Sequence, residues 1–376
     1  MSVIGNTALS FTEEQAMLLD VATQFCRDKS PISAVRAELE TDSGYDADLW
    51  QEMCNLGWTG ITAPEALGGS GLGVGALVPV IERMGGAMLG TPLMSTSLAV
   101  QALLRAGNSE QQERLLPDLV AGAPATVALL ENGDWGSQAI GVTLGADGTL
   151  SGVKKHVADA AAATLFVVSA SRDGNPVLAI VRADQLAEGA LRHHTLIDQT
   201  KRSADVDFTG VTVDAGNVIE GDAVATALRD IVLIGALLVA AEATGSASAC
   251  LNTTVDYLNT RKQFGKLIGS YQALKHPAVQ ILLDLDSAKS FVYHAATLIS
   301  EAPLDEDAEV ACRMAKAQAT ETLRYAGDRA VQFHGGMGFT YECDAQLYIR
   351  RAQWSQQQFG DAQHHRKRLA VLLLDR

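Results

Sequence analysis

The sequence predicts a mostly α-helical protein with a β-rich middle segment, and three observations carry that expectation. Apolar residues recur at helical spacing from Phe11 to about Gly122. Short β-type runs separated by turn residues fill the stretch from Ala123 to about Glu220. Long apolar helical patterns return at Asp222 and continue to the end. The expected domains are 1–122, 123–221 and 222–376, each within the ordinary domain size range.

Each element has its own signal. Thr12 with Glu13 and Glu14 marks a helix start, because acids in the first turn suit the positive end of the dipole. Met17, Leu18, Val21 and Phe25 continue that helix. Further helices are expected over Asp46–Leu56, Val74–Gly86, Thr91–Ala106 and Ser109–Ala121, with the Gly-rich loop APEALGGSGLG before the second of these. Strands are expected over Thr126–Leu130, Gly141–Leu144, Thr149–Val153, Thr164–Ser169, Val177–Arg182 and Asp205–Val213, punctuated by ADG, RDGN and FTG. Val224–Arg261 is apolar on more than one face, the pattern of a helix buried on several sides. Pro277 suits a helix start, giving Pro277–Glu301, then Leu304–Gly327, then one helix from Ala345 to the last residues. Several long buried helices make a bundle, and an oligomeric one fits the same pattern.

Composition narrows the function classes. The 376 residues are 47% hydrophobic and 19% charged, with no run of 18 apolar residues, which argues against a disordered chain and an ordinary membrane span. A net charge of −15 argues against nucleic-acid binding, which needs a basic footprint, but leaves room for a phosphorylated small ligand. The five cysteines are scattered and form no C-x-x-C pair, so neither a disulfide framework nor a zinc site is expected. The N-terminus has no basic region followed by an apolar one, so the expected location is the cytoplasm.

Two strings stand out chemically. Arg261-Lys262-Gln263-Phe264-Gly265-Lys266 places an arginine fork beside a glycine, which suits a diphosphate. The same string is also what an ordinary helix C-terminus wants. Gln332-Phe333-His334-Gly335-Gly336-Met337-Gly338-Phe339 lets backbone approach a ligand closely, or simply turns between helices. The adjacent pairs His193–His194 and His364–His365 diverge on any regular element and serve two-ligand metal binding poorly. Trp135 and Trp354 fit packing, and Arg366-Lys367-Arg368 fits a solvated helix end.

In combination, R-K-Q-F-G-K, then Q-A-L-K-H eleven residues after the arginine, then H-G-G-M-G-F-T resembles the acyl-CoA dehydrogenase family. The opening F-T-E-E-Q, the helix–β–helix order and the length agree, and the resemblance covers essentially the whole chain. It implies an N-terminal helical domain, a β-barrel-like middle domain and a C-terminal four-helix bundle. It also implies bound FAD, an acyl-CoA substrate desaturated between Cα and Cβ, an electron-transfer acceptor, and usually a tetramer.

Carried over residue by residue, the resemblance makes Arg261 the contact to the FAD diphosphate of a neighbouring subunit. Phe264 is the aromatic beside it. Gln272, Gln332, His334, Gly335 and Gly336 match the segments that close over the neighbour's ADP. The chain's own flavin wall departs from the family pattern. Where members carry T-E-P-G-x-G-S-D, this sequence has Leu130-Glu131-Asn132-Gly133-Asp134-Trp135-Gly136-Ser137. Where members carry K-x-W-I-T/S, it has Lys154-Lys155-His156-Val157-Ala158, so the aromatic becomes His156 and a hydroxyl donor is lost at Ala158.

The catalytic base departs further. Removal of the α-proton as hydride leaves Cβ needs a carboxylate in a dry site that raises its pKa. The position most members give to this Glu is Phe359 here. The alternative position, 26 residues before Arg261, is Gly235. Two acids remain nearby, Asp361 and Glu242, and each also fits a structural role. Retained donor residues beside a lost base imply a heteromer, with a homologous subunit supplying the Glu. Among family members, the chain is similar to the shorter subunits of heteromeric α2β2 enzymes that act on CoA thioesters of sterol or bile-acid side chains. A homomeric enzyme using Asp361 or Glu242, and a scaffold that binds no flavin, are the alternatives.

Overall fold

The computed structural model describes residues 13–136, 139–299 and 302–374. Phe11, Thr12, Ser137 and Glu301, named in the expectations above, lie outside the described residues. Helix α1 spans Glu13–Lys29 and α2 spans Ile32–Glu38. Helix α3, Ala47–Asn55, starts where Asp46 accepts hydrogen bonds from the backbone of Asp48 and Leu49. Helices α4 (Val74–Gly86), α5 (Leu93–Ala106) and α6 (Ser109–Val120) follow, the last opened by a reciprocal Asn108–Gln111 capping box. The short α2 was not expected.

The middle segment folds as two sheets. Strands β1 (Ala125–Ala128), β2 (Thr143–Leu144) and β3 (Leu150–Ser151) precede β4 (Val153–Ala158), β5 (Leu165–Arg172) and β6 (Asn175–Arg182). Strands β7 (Leu191–His193), β8 (Ser203–Asp207) and β9 (Val218–Ile219) complete the set. The larger sheet runs β3-β2-β5-β6-β9, with β1 parallel to β5; the smaller runs β4-β8-β7. Asp173 and Gly174, both left-handed, close the β5–β6 hairpin. Alternate residues of β5 serve different cores. Leu165 and Val167 join the helices, whereas Phe166, Val168 and Ala170 join the inter-sheet core with Phe208. A sheet covered on both faces reads as a continuous apolar run, as these strands do.

Helix α7, Ala223–Thr260, is 38 residues long and packs against α4 and α5. Its length and composition would also suit a membrane span, but here it forms the protein core. Strands β10 (Lys262–Gln263) and β11 (Lys266–Leu267) form a short hairpin after it. Helix α8, Gln272–Leu298, begins five residues before Pro277, because Tyr271 accepts the first helical hydrogen bonds; the proline lies in the second turn. Helix α9, Glu306–His334, starts at the Asp305 cap and runs seven residues past the expected end. It stops at Gly335, whose φ is 61°.

The expected single C-terminal helix is two. Helix α10 covers Ala345–Gln357 and α11 covers Ala362–Leu374. Phe359 (φ 54°) and Gly360 (φ 94°) are consecutive left-handed residues, which no α-helix accommodates. Lys316, fully buried on α9, donates to the carbonyls of Ser355 (3.0 Å) and Gly360 (2.8 Å) and so holds the break from both sides.

Burial pushes the Lys316 ammonium down from 10.5 to about 7. The folded value lies below the unfolded one, so the unfolded chain binds the extra proton between about pH 7 and 10. Stability from this group therefore rises with pH across that window. Urea unfolding of wild type and Lys316→Met at pH 7 and pH 9 should show the difference shifting toward wild type, by up to about 1 kcal/mol per pH unit. A pH-independent difference would mean that folding leaves the Lys316 pKa unshifted.

Candidate functional site

The C-terminal ends of α7 and α9 meet at an open cavity of about 500 Å³. Arg261 caps α7 through its N–H to the Tyr257 carbonyl, and its side chain is exposed. The chain then turns through the β10–β11 hairpin, whose apex residues Phe264 and Gly265 are both left-handed. A bulky residue rarely takes that conformation, yet Phe264 does so while 89% exposed, projecting from the fold. Ile268, Leu258 and Phe333 pack beneath the hairpin. Gly335 and Gly336 form the opposite rim, and a Cβ on either would meet nothing within 4 Å.

This cavity brings together Arg261, Phe264, His334, Gly335 and Gly336. Gln272 and Gln332 are exposed and lie outside its walls. Among the described residues no carboxylate lines it, while Arg261 supplies a cation. Aromatic and apolar walls, an arginine fork and bare glycine backbone suit the adenosine diphosphate part of a dinucleotide. Sequence reasoning missed Tyr257 and gave no role to Tyr271, at the head of the Q-A-L-K-H string; both also line the cavity. Tyr257 had a signal, lying one helical turn before Arg261.

The chain's own flavin side differs. Gly235 on α7 and Phe359 in the α10–α11 break lie face to face. A Cβ on Gly235 would stand 2.5 Å from the Phe359 ring. The Trp135 ring also packs against Phe359, with centroids 4.6 Å apart. Both positions that the resemblance gives to the catalytic base therefore converge, and both are apolar. The pocket that remains, lined by Trp135, His156, Ala158, Lys201, Trp354 and Phe359 among others, holds about 60 Å³. Ligand pockets measure roughly 300–1,000 Å³.

The two spare acids are engaged elsewhere. Glu242 is buried and paired with Lys201 (2.5 Å) and Arg351 (3.0 Å); Arg351 also bonds Asp198 and Thr200. Lys201 lies 4.7 Å over the Trp354 ring. Asp361 is exposed and caps α11 by accepting from the His364 N–H at 2.7 Å. Of the altered wall, Glu131 accepts from Lys154 at 2.5 Å and from the Val142 N–H at 3.1 Å. Burial pushes the Lys154 ammonium down to about 8, against the attraction of Glu131. His156, at φ 52°, lies beside His194 with ring centroids 4.6 Å apart; burial and that neighbour lower its pKa. Trp135 lines both the small pocket and a separate cavity of about 430 Å³, apolar in large part, with Arg229, Arg313 and Arg368 also in its walls.

Residues 12–123 match the acyl-CoA dehydrogenase N-terminal domain and residues 227–374 the acyl-CoA dehydrogenase C-terminal domain. Acyl-CoA dehydrogenase IpdE2 of Mycolicibacterium smegmatis is 30% identical over 95% of this chain and 98% of its own length. A solved chain of the Tcur3481-Tcur3483 steroid ACAD superposes with a TM-score of 0.83 at 28% identity, covering 96% of this chain and 98% of that one. Butyryl-CoA dehydrogenase from Megasphaera elsdenii superposes with a TM-score of 0.83 at 26% identity, covering 97% and 99%. The chain belongs to the acyl-CoA dehydrogenase family. Members are FAD-dependent oxidoreductases acting on CH–CH bonds.

The Gly235–Phe359 contact makes a stability prediction. Gly235→Ala overpacks the site and should cost about 1–3 kcal/mol in urea unfolding. Phe359→Leu in the same chain should recover part of that loss, giving a non-additive double-mutant cycle. Additive losses would place the ring away from Gly235.

Proposed function

We propose that this chain is the base-lacking subunit of a heteromeric FAD-dependent acyl-CoA dehydrogenase, paired with a homologous subunit in an α2β2 assembly. One observation carries the reading: an open donor face at Arg261 coexists with a closed pocket where Phe359 packs on Gly235. The partner supplies the catalytic Glu and holds the isoalloxazine. Arg261 contributes its fork to the diphosphate of the partner's FAD, and Gly335 and Gly336 let backbone approach it. Phe264 projects from its hairpin toward the same surface. Gln272 and Gln332 flank this face. When bound, FAD accepts the hydride from the substrate β-carbon. This chain's residues hold and orient that group across the subunit boundary.

The substrate in this reading is the CoA thioester of a sterol or bile-acid side chain. A steroid ACAD relative at 28% identity supports it. The engagement of Glu242 with Lys201 and Arg351, and of Asp361 with the α11 N-terminus, argues against a displaced base.

Purified alone, the chain is expected to carry little flavin and to leave acyl-CoA unoxidised. Co-expressed with a homologue that retains the Glu, it should give a yellow, active complex. Full FAD occupancy and dehydrogenation by the chain alone would overturn the heteromer. In the complex, Arg261→Ala should weaken FAD retention by about 1.5–3 kcal/mol, the range for a charge-assisted contact. Fluorescence of released flavin measures it, and unchanged retention would remove Arg261 from the site.

A further inference from the structure

The cavity of about 430 Å³ that shares Trp135 with the small pocket has the size of a ligand site. Ala225, Leu228 and Val232 recur at helical spacing and give it an apolar stripe of α7, to which the Trp135 ring adds. Its cations come from three helices: Arg229 on α7, Arg313 on α9 and Arg368 on α11, with His364 one turn before Arg368. Among the described residues no carboxylate lines the cavity. Arg229 and Arg313 both reach Glu309 behind the wall, at 3.9 and 2.7 Å, so they stand together. Arg229 also pairs with Asp230 at 2.8 Å. Arg368 is exposed, and among the described residues it has no ion-pair partner, whereas Arg366 on the same helix pairs with Glu321. Burial, then the charges of Arg313 and Arg368, lower the His364 pKa against the pull of Asp361 and Asp134. The potential at that end of the cavity is therefore positive.

We propose that this cavity binds an amphipathic monocarboxylate, its apolar body along the α7 stripe and Trp135, its carboxylate on the Arg368 guanidinium. The arginine fork matches a carboxylate with two parallel N–H···O bonds. With Arg229 and Arg313 matched by Asp230 and Glu309, one positive charge is left over. That balance suits a monoanion better than a multiply charged phosphate. A free carboxylate lacks the thioester that acidifies an α-proton, so the occupant is a bound ligand and not a substrate of desaturation. Because Trp135 packs against Phe359, an occupant seated on Trp135 braces the ring that closes the small pocket. The inference stands on this chain alone and does not need the heteromer.

Calorimetric titration of the full chain tests it with three probes: decanoate, decyltrimethylammonium (the same chain with a cationic head) and free coenzyme A, a multiply charged phosphate. Decanoate should bind at one site and the cationic analogue should not. Arg368→Gln should raise the decanoate dissociation constant about tenfold. Lys367→Gln makes the same charge change at an exposed neighbour outside the walls and should leave it unchanged. Ala225→Trp, at an exposed position, fills the apolar stripe and should abolish binding with thermal unfolding unchanged. The assignment is overturned if decanoate does not bind, if both head groups bind equally, or if the Arg368 and Lys367 variants lose equally. Tighter, Arg368-dependent binding of coenzyme A, or full binding by Ala225→Trp, overturns it as well. None of these readings depends on the flavin content of the co-expressed complex, so this site and the heteromer stand or fall separately.

Discussion

The structure depends on how closely α4 and α7 approach each other. A Cβ at Gly85 would run into the Glu242 carbonyl, and one at Gly245 into the Glu82 carbonyl. Only glycine lets the two backbones touch there. That contact seats a 38-residue helix in the core with its faces buried, where helix α9 and the β5–β6 sheet also rest on it. The helix then acts as a ruler. Gly235 and Arg261 stand 26 residues apart, about 39 Å at 1.5 Å per residue. The closed pocket lies against the first half of the helix and the open cavity at its C-terminal end, so a change at one need not disturb the other.

Electrostatics reinforces the division. Behind the closed pocket several charges are paired, Lys201 and Arg351 with Glu242 and Arg351 with Asp198, while Asp159 in its wall accepts from the Ser95 hydroxyl. Breaking one partner out of a buried pair leaves an uncompensated charge, so such clusters hold their surroundings rigidly. At the open cavity the cation stands exposed at the end of its helix, available to a ligand. The net charge of the chain says nothing of this contrast, which is set by placement and burial.

The sequence made some of this legible and hid the rest for physical reasons. Helix α7 was readable because burial on several faces demands a uniform apolar composition. Arg261, Phe264, Gly335 and Gly336 were singled out by the family resemblance, because their local pattern alone fits an ordinary helix end or helix–helix turn equally well. The α10–α11 break was not, because a lone glycine in a helical pattern is tolerated and the decisive clamp, Lys316, comes from another helix. Strand β4 was hidden by Lys154, Lys155 and His156. A buried lysine looks like a surface one until its partner, Glu131, arrives from a distant segment. The meeting of Gly235 with Phe359 is a long-range contact with no local pattern.

The packing of Phe359 on Gly235 also orders a history. The ring occupies the space that any side chain at 235 would need. A glycine there had to be present before the ring took its place, or to arrive with it. The route back is ordered too: a carboxylate returns to α7 only after residue 359 has given up its ring. The result is a steric dependence between α7 and the α10–α11 break: only one of positions 235 and 359 can carry a side chain in that space.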